Sequence, residues 1–373
     1  MQLCGDAVRQ LFRSPNVIRV LVADDSATSR ALLVGIFAGD AEFVVVGEAK
    51  NGQEAVEMAE RLLPDLVTMD VQMPVMDGLE ATKQIMVRSP RPIIIVSSTA
   101  RTAEVELSLD ATRAGALMVL PKPEGPQSPD FVGDRRMIVS MARAMSQVKV
   151  VRRHGNVSSA PVVTGPRAAY ATPSRVPKQV PRGGIRLVAL AASTGGPAAI
   201  RTILADLPRS FPVPILIVQH IAHGFTSGLA HWLAGDTGLA VRIAELGEPA
   251  SPGTVYIAPD DRHIGCRVDA VGDIRILLDS APPDGAFRPS ASYLFRSVAE
   301  CLGPGALSVI LTGMGDDGIA GLRVAKAKGG YVIAQDEASS VIYGMPREAA
   351  RAGVVDAVVS LGGVARRLVE LTS

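Results

Sequence analysis

Apolar runs in this chain are short, none longer than six residues, and they alternate with segments of helical period. Val17–Ala23, Phe43–Val46, Asp65–Asp70, Pro92–Val96 and Ala116–Leu120 read as strands. Thr28–Phe37 and Gln53–Leu63 carry apolar residues at helical spacing, and helices fit between the strands. Five strands with intervening helices in about 110 residues imply a parallel, doubly wound sheet. The pattern restarts at Ile185–Ala192 and continues through Val213–Gln219, Leu307–Leu311 and Tyr331–Ala334, with a helix over Gly318–Ala327. Between Gly247 and Leu278 short runs are broken by Gly and Pro and read as hairpins. A run of six is far below the roughly 20 apolar residues of a membrane-spanning helix. Asp6, Arg9 and Arg13 stand where a secretion signal needs an apolar core. The expectation is a cytoplasmic protein without membrane insertion. Cys4, Cys266 and Cys301 are too few and too scattered for a disulfide framework or a cysteine zinc site.

The net charge of +1 is an average over unlike parts. Residues 17–124 hold 10 basic and 16 acidic side chains, and residues 187–373 hold 15 and 18. Residues 135–186 hold 11 Lys and Arg and no acid. Within that basic stretch one amphipathic helix is expected, with Met137, Met141, Ala144 and Val148 on one face. Residues 155–184, with five prolines, then read as an extended linker. The predicted organisation is a first domain at 17–133, a linker helix and basic linker at 134–184, and a second domain at 185–373. The linker charges serve to solvate it or to steer it along acidic surfaces, its own domains among them.

Asp24 and Asp25 end the first predicted strand and Asp70 ends the third. In a doubly wound sheet ligands bind outside the carboxyl ends of the strands, so the three acids converge on one crevice. Crowded carboxylates call for a hard cation, and Mg²⁺ fits. Ser97 after the fourth strand offers a hydroxyl, and Lys122 after the fifth offers an ammonium.

A second cluster follows the same logic. Ser193 lies on a tight turn between a buried strand and a helix that Pro197 opens. Such a turn suits an exposed nucleophile, and it suits equally a glycine-rich loop binding phosphate at a helix N-terminus. His220 directly follows a neighbouring strand and is the best base among five histidines, with His223 and His263 as other cleft candidates. Asp316 and Asp317 follow a third strand through a glycine-rich loop. One of them can orient His220, and spacing does not choose between them. N–H groups of that loop can hold an oxyanion.

V-L-V-A-D-D-S (20–26), V-T-M-D-V-Q-M-P-V-M-D-G (67–78), I-I-V-S-S (94–98) and P-K-P (121–123) resemble the receiver domain of two-component response regulators. That resemblance implies phosphorylation of Asp70 by a histidine kinase, Mg²⁺ held by Asp24, Asp25 and Asp70, and phosphoryl contacts from Ser97 and Lys122. A-A-S-T-G-G-P (191–197), V-Q-H-I-A-H-G-F-T (218–226), Y-I-A-P-D-D-R-H (256–263), R-P-S-A-S-Y-L-F-R-S-V-A (288–299), L-T-G-M-G-D-D-G (311–318) and Y-G-M-P-R-E-A (343–349) resemble the chemotaxis receptor methylesterases of the CheB family. Pro259-Asp260-Asp261 departs from that family's usual Pro-Gly-Asp. The resemblance implies a triad of Ser193, His220 and Asp317, an oxyanion contact from the main chain of Met314, and substrate positioning by Thr194. It implies a flavodoxin-like receiver joined by a linker to a Rossmann-like methylesterase domain with a hairpin section. The implied activity is hydrolysis of glutamate methyl esters and deamidation of glutamines on chemoreceptors, with no cofactor for the hydrolase. An unphosphorylated receiver is expected to cover the cleft. A DNA-binding output would suit the basic stretch, but no helix-turn-helix pattern accompanies it, and no nucleic-acid partner is expected. A catalytically inert scaffold is the other alternative, and the complete Ser-His-Asp set argues against it.

Overall fold

The structure, a computed structural model, describes residues 17–97, 102–148, 150, 184–285 and 287–373. Residues 1–16, and nearly all of the proline-rich stretch expected to be a linker, lie outside the described residues. The chain divides into two compact units, Met1–Arg152 with Ile221–Gly235, and Arg153–His220 with Asp236–Ser373.

The first unit contains strands β1 (Ile18–Ala23), β2 (Phe43–Ala49), β3 (Leu66–Met69), β4 (Ile93–Ser97) and β5 (Met118–Pro121). Helices α1 (Ala27–Ala38), α2 (Gly52–Leu62), α3 (Gly78–Arg88) and α4 (Thr102–Ala114) connect them. The strands are parallel in the order β2-β1-β3-β4-β5. Chain direction across the sheet reverses between β1 and β3, so a crevice opens beyond their carboxyl ends. The helix starts are well formed. Ser26, Asn51 and Asp77 each accept a main-chain N–H of the first turn that follows.

The next helix, α5 (Phe131–Ser146), departs from the expected linker helix. It buries Ile138, Val139, Ala142 and Met145, next to the expected stripe, and packs on β3, β4 and α1. Both stripes have helical period, and the first unit's sheet selects the neighbouring one. Arg135 Nη2 donates to Gly39 O at 2.9 Å, and Arg143 Nε meets Glu42 Oε2 at 2.6 Å. Two charges of the basic stretch thus meet the first unit, one of them paired with an acid.

Seven parallel strands form the second large sheet, in the order β14-β13-β12-β6-β7-β9-β8. They are β6 (Leu187–Ala192), β7 (Ile215–Gln219), β8 (Ala240–Ile243), β9 (Thr254–Ile257), β12 (Ala306–Ile310), β13 (Tyr331–Gln335) and β14 (Ala357–Val359). Strands β10 (His263–Val268) and β11 (Ile274–Asp279) form a separate antiparallel hairpin. Only this hairpin matches the hairpin expectation for 247–278. Thr254–Ile257 is buried along its whole length and joins the large sheet between β7 and β8. The helices that follow in the chain are α6 (Gly196–Asp206), α7 (Thr226–Asp236), which falls in the first unit but for its last residue, α8 (Ala291–Leu302), α9 (Ile319–Ala327), α10 (Met345–Arg351) and α11 (Leu361–Thr372). Every residue of β6 is fully buried, which explains its unbroken Leu, Val and Ala run. Each such Leu or Val contributes roughly 1.5–3 kcal/mol of transfer free energy. β6 lies between β7 and β12, so the loops after these three central strands emerge side by side. Among the described residues no helix is long and apolar enough to cross a membrane.

Candidate active site

Parallel register places two of the expected residues side by side. Ala192 on β6 pairs with Gln219 on β7, and the next residues are Ser193 and His220. His220 N donates to Ala192 O at 2.9 Å, and Ser193 N donates to Thr312 O at 3.0 Å. Gln219, which sequence reasoning left as plain strand, ties the two turns together. Its Nε2 donates to Ser193 O and to His220 O, both at 2.8 Å. Gly195 takes φ 76, and α6 begins immediately after it with Pro197 in its first turn. A side chain at Gly196 would meet Gln219 Oε1 at 2.0 Å, so the turn requires a glycine there. Thr194 is buried, and its carbonyl accepts the Thr312 hydroxyl at 2.9 Å. Ser193 is half-buried.

The choice between the two acids is visible in the geometry. Asp316 is exposed, whereas Asp317 is buried and accepts from His220 Nε2 at 2.9 Å. Asp317 also occupies the N-terminus of α8. Its Oδ2 accepts Ala291 N at 2.7 Å, and its Oδ1 accepts Ser292 N at 3.0 Å, Ser290 Oγ at 2.9 Å and Gly318 N at 2.8 Å. Helix N-termini favour negative charge. Burial pushes the carboxyl pKa up, but the His220 hydrogen bond and charge and the helix N–H groups outweigh it and hold it down to about 2. Nδ1 of His220 is buried with no hydrogen-bond partner, while the ring lies flat on Phe287, with centroids 4.1 Å apart and planes at 4°. Phe287 carries no sequence signal of its own. His263 is not a cleft residue. It is fully buried, accepts Ser290 N at 3.2 Å through Nδ1 and stacks on Tyr293. Met314 is exposed between Gly313 and Gly315, on the loop that leads from β12 to Asp317.

The first unit gathers a second cluster. Carboxylate oxygens of Asp24, Asp25 and Asp70 lie within 4.8 Å of one another. Asp24 and Asp70 are buried, and Lys122 Nζ reaches Asp70 Oδ2 at 2.7 Å and Asp24 Oδ2 at 3.0 Å. Asp24 Oδ2 nonetheless lacks a well-formed hydrogen bond. Three acids facing one ammonium leave negative charge uncompensated, and an all-oxygen set of this kind suits a small hard cation. Burial raises the Asp70 pKa, more than Lys122 lowers it, and the Asp24 charge adds to the rise. The Lys122 pKa is also raised: burial opposes this, but its hydrogen bond to Asp70 and its ion pair with Asp24 win. Ser97 is buried at the end of β4, and its carbonyl accepts Lys122 N at 3.0 Å.

Comparison with known proteins follows the same division. The model of the CheB methylesterase matches residues 188–368, and that of the response regulator receiver domain matches 20–128. The protein-glutamate methylesterase/protein-glutamine glutaminase 4 of Myxococcus xanthus is 52% identical, over 94% of this chain and 96% of the relative. The chain belongs to the CheB methylesterase family. A second relative within it, protein-glutamate methylesterase/protein-glutamine glutaminase 3 of Anaeromyxobacter dehalogenans, is 49% identical over 94% of this chain and 98% of its own length. Among solved structures, the Thermotoga maritima CheB methylesterase catalytic domain is 38% identical and covers 50% of this chain and 98% of that one, with a TM-score of 0.49. A receiver and a methylesterase domain share this one chain.

Proposed function

We propose that this chain hydrolyses glutamate methyl esters and deamidates glutamines on the helices of chemoreceptors, under the control of a histidine kinase acting at Asp70. The observation that carries the hydrolase reading is the His220 Nε2–Asp317 hydrogen bond at 2.9 Å, with Nδ1 left unpartnered on the residue that neighbours Ser193 across the sheet. In this reading Nδ1 is the base. Ser193 Oγ attacks the side-chain carbonyl and passes its proton to His220 Nδ1. Asp317 keeps the other nitrogen protonated and stabilises the imidazolium. The oxyanion is held by main-chain N–H groups, that of Met314 among them, while Thr194 shapes the turn. His220 then protonates the departing methoxide, or the amine of a glutamine, and an acyl-Ser193 remains. Water, deprotonated by His220, releases glutamate and restores the serine. Ester and amide need only one triad because both are acyl transfers to water.

In the receiver, Asp24, Asp25 and Asp70 would hold Mg²⁺, which supplies positive charge to the incoming phosphoryl oxygens. Asp70 is the nucleophile toward phosphorus, and Lys122 and Ser97 receive the phosphoryl oxygens. Methanol release from methylated receptor, with and without a phosphodonor, tests both halves. Ser193→Ala is expected to abolish release while Asp70 still takes up phosphate. Methanol turnover by that variant would overturn the nucleophile assignment.

A further inference from the structure

Two cysteines that are 35 positions apart in sequence meet in the second unit. Cys266 lies on β10 and is buried, and Cys301 lies in the last turn of α8 and is half-buried; neither is in a disulfide. β10 packs along α8. Ser297 Oγ accepts Cys266 N at 3.2 Å and lies 3.4 Å from Cys266 O, and Cys301 is one helical turn beyond Ser297. Both cysteines line an open cavity of about 490 Å³, with Arg267, Arg296 and Glu300 at its wall. Two thiols that line one solvent-accessible cavity offer one partner to react and one to resolve.

We propose that Cys301 and Cys266 form a thiol modification site in which a hydroperoxide oxidises Cys301 and Cys266 closes a disulfide onto it. The Cys301 thiolate attacks the terminal peroxide oxygen, so that S–O forms, O–O breaks and an alkoxide leaves, which is hydroxide for hydrogen peroxide. The sulfur of Cys266 then displaces the sulfenic hydroxyl, so that S–S forms, S–O breaks and one water leaves. Two electrons pass to the peroxide, and an external dithiol returns them. The direction of attack follows from exposure, since peroxide reaches the half-buried Cys301 before the buried Cys266, and the electrostatics agree. The neighbouring Cys266 thiol, the Val268 N–H and the Arg186 charge hold the Cys301 pKa down to about 7 against the opposing effect of burial. The nearby Cys301, with burial, pushes Cys266 up and keeps it a thiol. A thiolate with pKa near ambient pH is well placed as the attacking group.

The test uses the full chain carrying Cys4→Ser, exposed to hydrogen peroxide, then alkylated, digested and mapped by mass. A peptide linking Cys266 to Cys301, lost on treatment with dithiothreitol, is expected. In Cys266→Ala the reaction is expected to stop at a Cys301 sulfenic acid that dimedone captures. Iodoacetamide should label Cys301 with a rate midpoint near pH 7 rather than near the ordinary thiol value of 9.0. Two free thiols after peroxide, or a labelling midpoint near 9, would overturn the proposal. The map of the Cys4→Ser chain decides even if Cys266→Ala folds poorly. The proposal is independent of the hydrolase reading, because a Ser193→Ala chain forms the same bond.

Discussion

His220 turns Nε2, not Nδ1, toward Asp317, at 2.9 Å. The acid is in turn fixed by α8, so its two oxygens are not equivalent. Oδ1 receives Ser290 Oγ, Ser292 N and Gly318 N, whereas Oδ2 receives Ala291 N and His220. In Asp317→Asn the single carbonyl oxygen should take the Oδ1 side, where three donors converge. The amide NH₂ then faces His220 Nε2 and forces the proton onto Nδ1, the nitrogen that must accept from Ser193. Esterase turnover should fall by about 10³–10⁴-fold with phosphorylation at Asp70 unchanged. A variant within tenfold of the parent would show that the tautomer is set elsewhere.

The same carboxylate predicts an acid transition. Its pKa is about 2 in the folded chain against an ordinary 3.8. A depressed carboxyl contributes stability that is complete above its unfolded value and is lost as pH falls through the folded value. Asp317 thus stabilises the second unit at neutral pH, by an amount on the order of 2 kcal/mol, and the contribution disappears between about pH 4 and pH 2. Urea unfolding of the parent and of Asp317→Asn should therefore converge on acidification. A constant gap across that window would contradict the assignment.

Phe287 covers one face of the His220 ring at 4.1 Å. Face-to-face contact leaves the imidazole little freedom to rotate about its own bond, and it shields the His220–Asp317 pair from water. Phe287→Ala is expected to lower kcat by roughly tenfold with little change in KM, the signature of a positioning loss. Phe287→Tyr should restore most of it. An unchanged kcat, or a loss that Tyr does not rescue, argues against positioning.

The strand ends were legible because buried parallel strands are nearly all apolar, so the polar residue that terminates each one stands out. Asp24, Asp70, Ser193 and His220 are of this kind. Edge strand Ala240–Ile243 was not legible, since its residues alternate between exposed and half-buried and carry no apolar run. Asp316 and Asp317 look alike in sequence, and only the turn that buries one of them against α8 separates them. Phe287 and Gln219 act through contacts made by the fold, and nothing in their neighbourhood marks them. The meeting of Cys266 with Cys301 depends on how a hairpin packs on a helix, which residue spacing does not encode.

The Ser193 turn makes a further prediction. Gly196→Ala would place its Cβ 2.0 Å from Gln219 Oε1 and 2.8 Å from Ala192 Cβ. Gln219 cannot swing away without releasing Ser193 O and His220 O. The variant should lose about 1–3 kcal/mol of stability and most of its esterase activity. Thermal unfolding and methanol release measure the two effects, and full activity would mean that the turn tolerates repacking.

Asp70→Asn should have the opposite effect on stability. Burial, with the neighbouring charge of Asp24, raises the Asp70 pKa in the folded chain despite Lys122. A raised carboxyl destabilises the folded state at every pH above its folded pKa, and this penalty vanishes below the unfolded value. An amide removes this penalty while its oxygen can still accept from Lys122 Nζ. The unfolding midpoint of the first unit should rise in Asp70→Asn without added divalent cation, and phosphate uptake from a phosphodonor should be lost. Magnesium should narrow the gap, because a bound cation relieves the same repulsion in the parent and has one fewer carboxylate to hold in the variant. A midpoint that falls in the absence of magnesium would mean that the Lys122–Asp70 contact at 2.7 Å outweighs the crowding of the acids.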